Sequence, residues 1–365
     1  MDRLRIAVIG TNIGCTLHIR ALRAAGFEVT ALVGRDPEKT AYRASHFSIP
    51  NAWTSFDRAL DSEIDAVVIA TPPKTHHDFS MRAIRAGKHL ICEKAMALDV
   101  GHAREMRDAA REAGLANMIS HEFRWFAQNA LARRVVHQGG IGAPIQVSAQ
   151  FDHTLCAPKM IDTPTWWLRS DEGGGWLRNY NSHGIDLVRY IVGEFAAVAG
   201  TVHPGGDRGM TADDSYAFAF LTANGAQGVM AGTCRAWDAF ASTRIIGADA
   251  GISIGFNDVI LTDAEGSRAV EMPADLVAEL RGGGPEIYAP EEKLPQMEDT
   301  NYVQTHSSDY GFPEMVGLTA AFASWMRNPH YRNPAIATFD DGFAHVRVID
   351  AVERSRSEGR WIDLV

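Results

Sequence analysis

Through the first third of the chain, short β-branched runs alternate with stretches of helical apolar spacing. The runs are Ile6-Ala-Val-Ile9, Val29-Thr-Ala-Leu-Val33, Ala66-Val-Val-Ile-Ala70, His89-Leu-Ile-Cys92 and Asn117-Met-Ile119. Such alternation predicts βαβ units and a parallel, doubly wound sheet. Between the first two runs, His18 to Ala25 has the spacing of a helix and Gly26 is placed to end it. The unit has about the 30-residue length of a βαβ crossover.

After Arg124 the texture changes to Trp-rich segments and alternating strands such as Ile145-Gln-Val-Ser-Ala-Gln-Phe151 and Tyr216-Ala-Phe-Ala-Phe220. These predict an antiparallel or mixed sheet with a few helices. A polar stretch from about Asp263 to Tyr310, containing "RGGGPEIYAPEEKLPQMEDTNY", is expected to be an elaborated loop, with a domain linker as the second reading. Helical patterns at Glu314 to Met326 and Gly342 to Arg354 close the chain. The change of texture sets the expected domains at 1–123 and 124–365.

Length supports that division, because 365 residues with 46% apolar content exceed one ordinary core. A net charge of −10 without Lys/Arg runs argues against nucleic acid or an anionic membrane surface as a partner. Cys15, Cys92, Cys156 and Cys234 are scattered without CxxC spacing, so neither a disulfide framework nor a zinc site is expected. A reducing cytoplasmic location follows. The first residues run straight into a strand with no basic and apolar leader pattern, and no later stretch approaches membrane-spanning length.

The first run leads into "GTNIGC", residues 10 to 15. A dinucleotide loop needs glycine first for its turn, second for backbone approach to a pyrophosphate, and third for helix packing. Gly10 supplies the first. Ungapped counting puts Asn12 second and Cys15 third, with Gly14 one place early. Asn tolerates positive φ and Cys is small, so the helix start at Thr11, Asn12, Ile13 and Gly14 can still present amides to a phosphate. The same residues also suit an ordinary strand-to-helix turn.

About twenty residues on, Val33-Gly34-Arg35-Asp36-Pro37 ends the second run. Gly34 lacks the carboxylate that binds the 2′-hydroxyl of NAD. Arg35 is placed to pair with a 2′-phosphate, which tilts the choice to NADP over NAD. Stacking on adenine, or plain solvation, is the other reading of Arg35.

With "TPPKTHH" at 71–77, "AGKHLICEKAMALD" at 86–99 and "GGGWLRNYNSHGIDLVRYIVG" at 173–193, the chain resembles the glucose-fructose oxidoreductase/inositol dehydrogenase/rhizopine catabolism (Gfo/Idh/MocA) family. Its end, "TFDDGFAHVRVIDAVERSRSEGRWIDL", is similar to that family's closing segment. The resemblance implies an N-terminal Rossmann domain and a C-terminal domain with an open, mostly antiparallel sheet, commonly assembled as a homodimer or homotetramer. It further implies oxidation or reduction of sugars, polyols or related alcohols with NAD or NADP. By position, Glu93 and Lys94 match the Glu-Lys-Pro motif, His183 the catalytic histidine, and Thr71, Pro72 and His76 the cofactor-side loop. Three residues depart from the pattern: Ala95 replaces the motif's proline, Asn179 an aspartate, and Asn181 a glycine.

Oxidation of a secondary alcohol requires a group to take the hydroxyl proton, which suits His183, and a cation beside the developing alkoxide, which suits Lys94. On a continuous helix Asn179 and His183 would share a face at i, i+4, with Asp186 one turn on. Asn179 can hydrogen-bond a substrate hydroxyl but cannot act as a base, so it is assigned to positioning. Asn181, Arg124, Trp167 and Arg169 complete the expected substrate contacts, with Trp166 and Trp125 as packing neighbours. His77, His121 and His153 show no ligand spacing, and no metal is expected. Two other readings stand beside a dehydrogenase. One is a redox-neutral lyase, hydratase or glycosidase-like enzyme that recycles a tightly held NAD(H). The other is a non-catalytic dinucleotide sensor, which would need neither Lys94 nor His183.

Overall fold

The computed structural model describes residues 3–155, 164–205, 209–282 and 311–364. The chain divides into two compact units. The first comprises Met1–Ala97, Gly101–Trp125 and Ala278–Phe343; the second comprises Leu98–Val100, Phe126–Val277 and Ala344–Val365.

In the first unit, β1 (Arg5–Ile9), β2 (Glu28–Val33), β3 (Asn51–Trp53), β4 (Ala66–Ile69), β5 (His89–Cys92) and β6 (Asn117–Ile119) form one sheet. All its pairs are parallel and the order is β3-β2-β1-β4-β5-β6, the Rossmann order. The five predicted runs are β1, β2, β4, β5 and β6. β3 escaped notice because its three residues are only partly buried and carry no apolar run. The reversal of order between β1 and β4 opens a crevice at the carboxyl ends of the strands, where ligands of such sheets bind.

The expected boundary at 123/124 shifts to 125/126, and the assignment of all of 124–365 to one domain is corrected. The helix Phe312–Arg327 belongs to the first unit because its apolar side covers that unit's helix Ile19–Ala24 and the strand after it. Phe322 stacks on Phe27 at 6.2 Å between ring centroids. Thr319 Oγ1 donates to the Ala21 carbonyl at 3.2 Å. A doubly wound sheet must bury both faces, and distant chain supplies part of the cover.

The second unit holds β7 (Pro144–Asp152), β8 (Phe195–Pro204), β9 (Asp213–Thr222), β10 (Gln227–Thr233), β11 (Phe240–Gly247), β12 (Gly251–Ile254), β13 (Val259–Asp263), β14 (Gly266–Ala269) and β15 (Ile362–Asp363). They order as β14-β13-β12-β11-β7-β10-β9-β8-β15. β7 and β10 pair parallel and the remaining pairs antiparallel, as the resemblance implied. In β9, Asp214, Tyr216, Phe218, Phe220 and Thr222 alternate inward, so the period of two sets one covered face. The polar stretch expected to be a loop begins where β13 ends and contains β14, its hairpin partner, and the helix Ala274–Leu280; its residues 283–310 lie outside the described residues.

Candidate active site

In the first unit, the loop after β1 answers how "GTNIGC" works. Gly10 has φ +119° and donates its N–H to Val33 O at 2.9 Å. A Cβ there would lie 2.0 Å from Ala70 O, so only glycine passes. A Cβ on Gly14 would reach 2.9 Å from Val8 Cγ1. Gly14 is therefore the close helix-to-strand contact, which corrects the assignment of that position to Cys15. The first turn, Gly14–His18, is wound as a π-helix, with Ile19 N–H bonding Gly14 O five residues back. A π turn accommodates an additional residue, so the helix absorbs what the shortened loop lacks. Asn12 is exposed, and its Oδ1 accepts from Nη1 of the fully buried Arg43 at 3.0 Å. A Cβ on Gly34 would meet Thr40 Oγ1 at 2.2 Å and Thr11 Cγ2 at 2.5 Å, which leaves no room for a carboxylate side chain. Arg35 beside it is exposed.

After β4, the buried His76 faces Thr71 O at 2.7 Å through Nε2 and Ala95 O at 2.9 Å through Nδ1. It ties the Thr71-Pro72 turn to the residue that follows Lys94. Burial pushes the imidazole pKa down, against the two carbonyls.

After β5, Glu93 Oε1 meets His18 Nε2 at 2.8 Å and Oε2 accepts the Lys94 N–H at 3.2 Å. Burial alone would raise this carboxyl. The His18 hydrogen bond and charge, with the Lys94 cation, outweigh burial and bring it down to about 2. Glu122, after β6, behaves oppositely: burial and the Glu93 carboxylate push it up to about 8, against Lys94. Lys94 is thus set among an ionised and a protonated acid. Sequence reasoning missed His18, Arg43 and Glu122 as site residues. The available signal for Glu122 was its place just past the carboxyl end of a strand.

Arg124 also belongs to the first unit, where its guanidinium donates to Asp341 Oδ1 at 2.8 Å and Ile336 O at 3.1 Å. Trp125 packs in the same unit's core.

In the second unit, the glycine run packs on the turn Thr165–Leu168, with Gly175 N–H bonding Trp167 O at 3.0 Å. Trp167 is buried, whereas Arg169 is exposed and pairs with Asp171 at 3.2 Å. The short helix Trp176–Asn179 is held by Asp213, whose Oδ2 accepts the Leu177 N–H at 2.8 Å. A Cβ on Gly175 would lie 2.1 Å from Asp213 Oδ1. Burial pushes Asp213 up to about 7, opposed by the Leu177 N–H.

The condition of a helix through 179–183 is met with an interruption at Tyr180. Trp176–Asn179 ends at Tyr180, and Asn181–Ile191 begins after it. His183 N–H bonds Tyr180 O three residues back, at 3.1 Å. Tyr180 nevertheless keeps φ −96° and ψ −45°, so the chain direction carries through. Asn179, His183 and Asp186 are 1%, 2% and 1% exposed, which makes this segment interior, and Asp186 pairs with Arg189 at 3.5 Å. Asn181 points elsewhere: its Nδ2 donates to Met230 Sδ at 3.1 Å on β10, as residues two apart on a helix diverge.

Tyr180 stacks on Trp176 with centroids 4.4 Å apart and meets His183 edge-on at 6.3 Å. His153 sits 6.0 Å from Trp176 and 6.1 Å from Tyr180. This aromatic wall was not anticipated, although the spacing of Trp176 and Tyr180 at i, i+4 signals such a stack. Lys94 and His183 therefore stand in different units, each fixed by its own surroundings. Among the described residues, no group of three His, Cys, Asp or Glu side chains is placed to hold a metal, and no helix is long and apolar enough to cross a membrane.

Gly10 and Gly14 have no room for a Cβ against Ala70 and Val8, which fixes the tight strand-to-helix turn and close packing that a dinucleotide loop requires. Comparisons agree. A family model described as an oxidoreductase family with an NAD-binding Rossmann fold matches residues 4–121, and that of the GFO/IDH/MocA C-terminal domain matches 129–253. The 1,5-anhydro-D-fructose reductase of Ensifer adhaerens is 34% identical over 183 residues, 50% of this chain and 54% of that one. The levoglucosan dehydrogenase of Pseudarthrobacter phenanthrenivorans is 32% identical over 166 residues, 45% of this chain and 42% of that one. The matched sequence thus spans about half the length of these relatives. Over the whole fold, a levoglucosan dehydrogenase in its apo form superposes with a TM-score of 0.83 at 23% identity, covering 100% of this chain and 99% of that one. An oxidoreductase domain protein from Kribbella flavida gives 0.82 at 25% identity, covering 100% of both.

Proposed function

Because this chain belongs to the GFO/IDH/MocA family of oxidoreductases with an NAD-binding Rossmann fold, we propose that it interconverts a secondary alcohol and a ketone on a sugar, polyol or related cyclic alcohol. Two relatives named for sugar derivatives favour a carbohydrate substrate. The observation that carries the reading is Lys94 itself, at the carboxyl end of β5 between the ionised Glu93 and the protonated Glu122. A catalyst needs such a cation; a sensor does not.

Gly10, Thr11, Asn12, Ile13 and Gly14 would hold the cofactor pyrophosphate, Gly34 and Arg35 the adenosine ribose, and Thr71, Pro72, His76 and Glu93 the nicotinamide side. A bound nicotinamide supplies the hydride acceptor or donor. Lys94 stabilises negative charge on the substrate oxygen, and His183 takes or returns its proton. Asn179, with Trp167 and Arg169, orients hydroxyls. The blocked space at Gly34 and the exposed Arg35 support NADP over NAD. The open sheet face, with exposed Leu221, Val229 and Phe240, supports assembly as a homodimer or homotetramer.

The test is to denature purified protein, identify released nucleotide by mass spectrometry, titrate emptied protein with NADPH and NADH, and assay a sugar panel. Reversible NADPH binding with sugar-dependent redox turnover is expected. Stoichiometric retained nucleotide without net redox change would favour the redox-neutral alternative, which Asn179 in place of an acid keeps in view. No binding of either nucleotide would sink both.

A further inference from the structure

Of the two acids beside Lys94, Glu93 is committed. Its Oε1 meets His18 Nε2, its Oε2 accepts the Lys94 N–H, and the fold holds it ionised far below neutral pH. Glu122 is the acid that can still change charge. It opens the short turn Glu122–Trp125 just past β6, and Ser120 N–H, bonding Cys92 O at 2.9 Å, sets the end of β6 alongside the end of β5 that leads to Lys94. The turn is clamped, because Arg124 is held by Asp341 and the Ile336 carbonyl while Trp125 packs in the core. Glu122 itself is half-buried, so its proton can exchange with solvent.

The charged groups facing Glu122 are Glu93 and Lys94 after β5 and Glu314 on the helix Phe312–Arg327, which packs on the turn. Arg124, within the turn, is paired with Asp341. Burial and the two carboxylates favour the protonated form, and Lys94 opposes them. A further positive charge beside Lys94 would shift that balance. In a Rossmann sheet each half takes one nucleotide. The β1-β3 half carries the residues proposed for the adenosine side, which leaves the carboxyl ends of β4, β5 and β6 to the nicotinamide. That ring is a cation when oxidised and neutral when reduced.

From this arrangement we infer that Glu122 senses the redox state of the bound nicotinamide: it releases its proton to solvent when the cationic oxidised ring binds and keeps it beside the neutral reduced ring. The inference rests on the proposed dinucleotide binding. Where the free protein holds the proton and the oxidised complex does not, affinity for oxidised nucleotide rises with pH, and it levels off once both are ionised. A unit charge about 10 Å away moves such a pKa by about one unit at an effective dielectric of about 20, which is about tenfold in affinity. Reduced nucleotide gains nothing from that ionisation. Lower pH therefore favours the reduced cofactor and ketone reduction, and higher pH favours the oxidised cofactor and alcohol oxidation.

The experiment measures dissociation constants of the oxidised and reduced forms of NAD and NADP from about pH 6 to 9, with no substrate present, for wild type and Glu122→Gln. Calorimetry in two buffers of different ionisation enthalpy counts the protons released. The ratio of oxidised to reduced affinity cancels titration of the 2′-phosphate, which both forms share. For wild type the ratio is expected to rise about tenfold over this range, with about half a proton released per oxidised nucleotide near pH 7.5 and close to none per reduced nucleotide. Glu122→Gln, a neutral amide of similar shape, is expected to flatten the ratio and abolish the release. A wild-type ratio that stays within about twofold across the range overturns the inference, as does an equal rise in Glu122→Gln, and either result leaves the dinucleotide reading intact. Wild-type protein that binds neither form overturns both.

Discussion

The surroundings of Lys94 and those of His183 are built from opposite materials. Around Lys94, in the first unit, charges are close and coupled: Glu93 is held ionised by His18 and Lys94, and the same Glu93 helps keep Glu122 protonated. In the second unit, His183 meets Tyr180, and Tyr180 in turn meets Trp176 and His153. The lesson is that the two proposed partners sit in different surroundings. Beside Lys94, burial raises both acids and only for Glu93 do the His18 contact and the nearby charges reverse it, whereas the described ring contacts about Tyr180 and His183 are aromatic.

The strongest way to break the comparison is to remove each partner. Lys94→Ala and His183→Ala are each expected to lower turnover by about two orders of magnitude or more, with the fold kept. Near-wild-type turnover in either variant removes that residue from the mechanism. Next in size, Arg35→Ala is expected to weaken NADPH binding about tenfold and leave NADH nearly unchanged. Equal losses would defeat the 2′-phosphate assignment.

A smaller effect sharpens the electrostatic half. Glu122 holds its proton in the fold up to about pH 8, whereas unfolded glutamate loses it near pH 4.3. Between those values the folded chain binds the extra proton, so this group lowers stability as pH rises through the window. Glu122→Gln removes that dependence. Its Tm is expected to exceed wild type by about 2 °C or more at pH 8.5, with the gap closing towards pH 5. A gap that does not vary with pH would show that Glu122 is not protonated in the fold.

Much of this was legible in the sequence, and the failures have particular causes. Five of the six parallel strands announced themselves as apolar runs, because strands buried on both faces need them. The short, partly exposed β3 did not. Lys94 and His183 were proposed through motifs, whereas the contacts of Arg43, His18 and Glu122 could not be read from the sequence. Their meaning comes from partners 31, 75 and 29 positions away in sequence, namely Asn12, Glu93 and Glu93 again. Spacing alone also left open whether 179–183 form one helix; the interruption falls at Tyr180, which stacks on Trp176. The return of Phe312–Arg327 to the first unit was hidden for a similar reason, since an apolar helix does not name the surface it covers.

The finest test bears on the second unit, at the buried acid Asp213. Asp213 accepts the Leu177 N–H at 2.8 Å and so anchors the helix that ends at Asn179. Burial raises its carboxyl to about 7, against roughly 3.9 in the unfolded chain. Stability from this group therefore falls as pH rises from about 4 to 7, the same sign as for Glu122 but in a lower window. Asp213→Asn keeps an acceptor for Leu177 and removes the titration, so its Tm should match wild type near pH 4 and exceed it slightly at pH 7.5. Asp213→Ala loses the cap as well and should cost about 1 kcal/mol near pH 4, where the wild-type carboxyl is protonated and least penalised. If Asp213→Asn also flattens the stability profile between pH 4 and 7, the second unit's pH response belongs to a helix anchor and not to His183. An unchanged profile would place that response elsewhere and erase the contrast between the two regions at its weakest point.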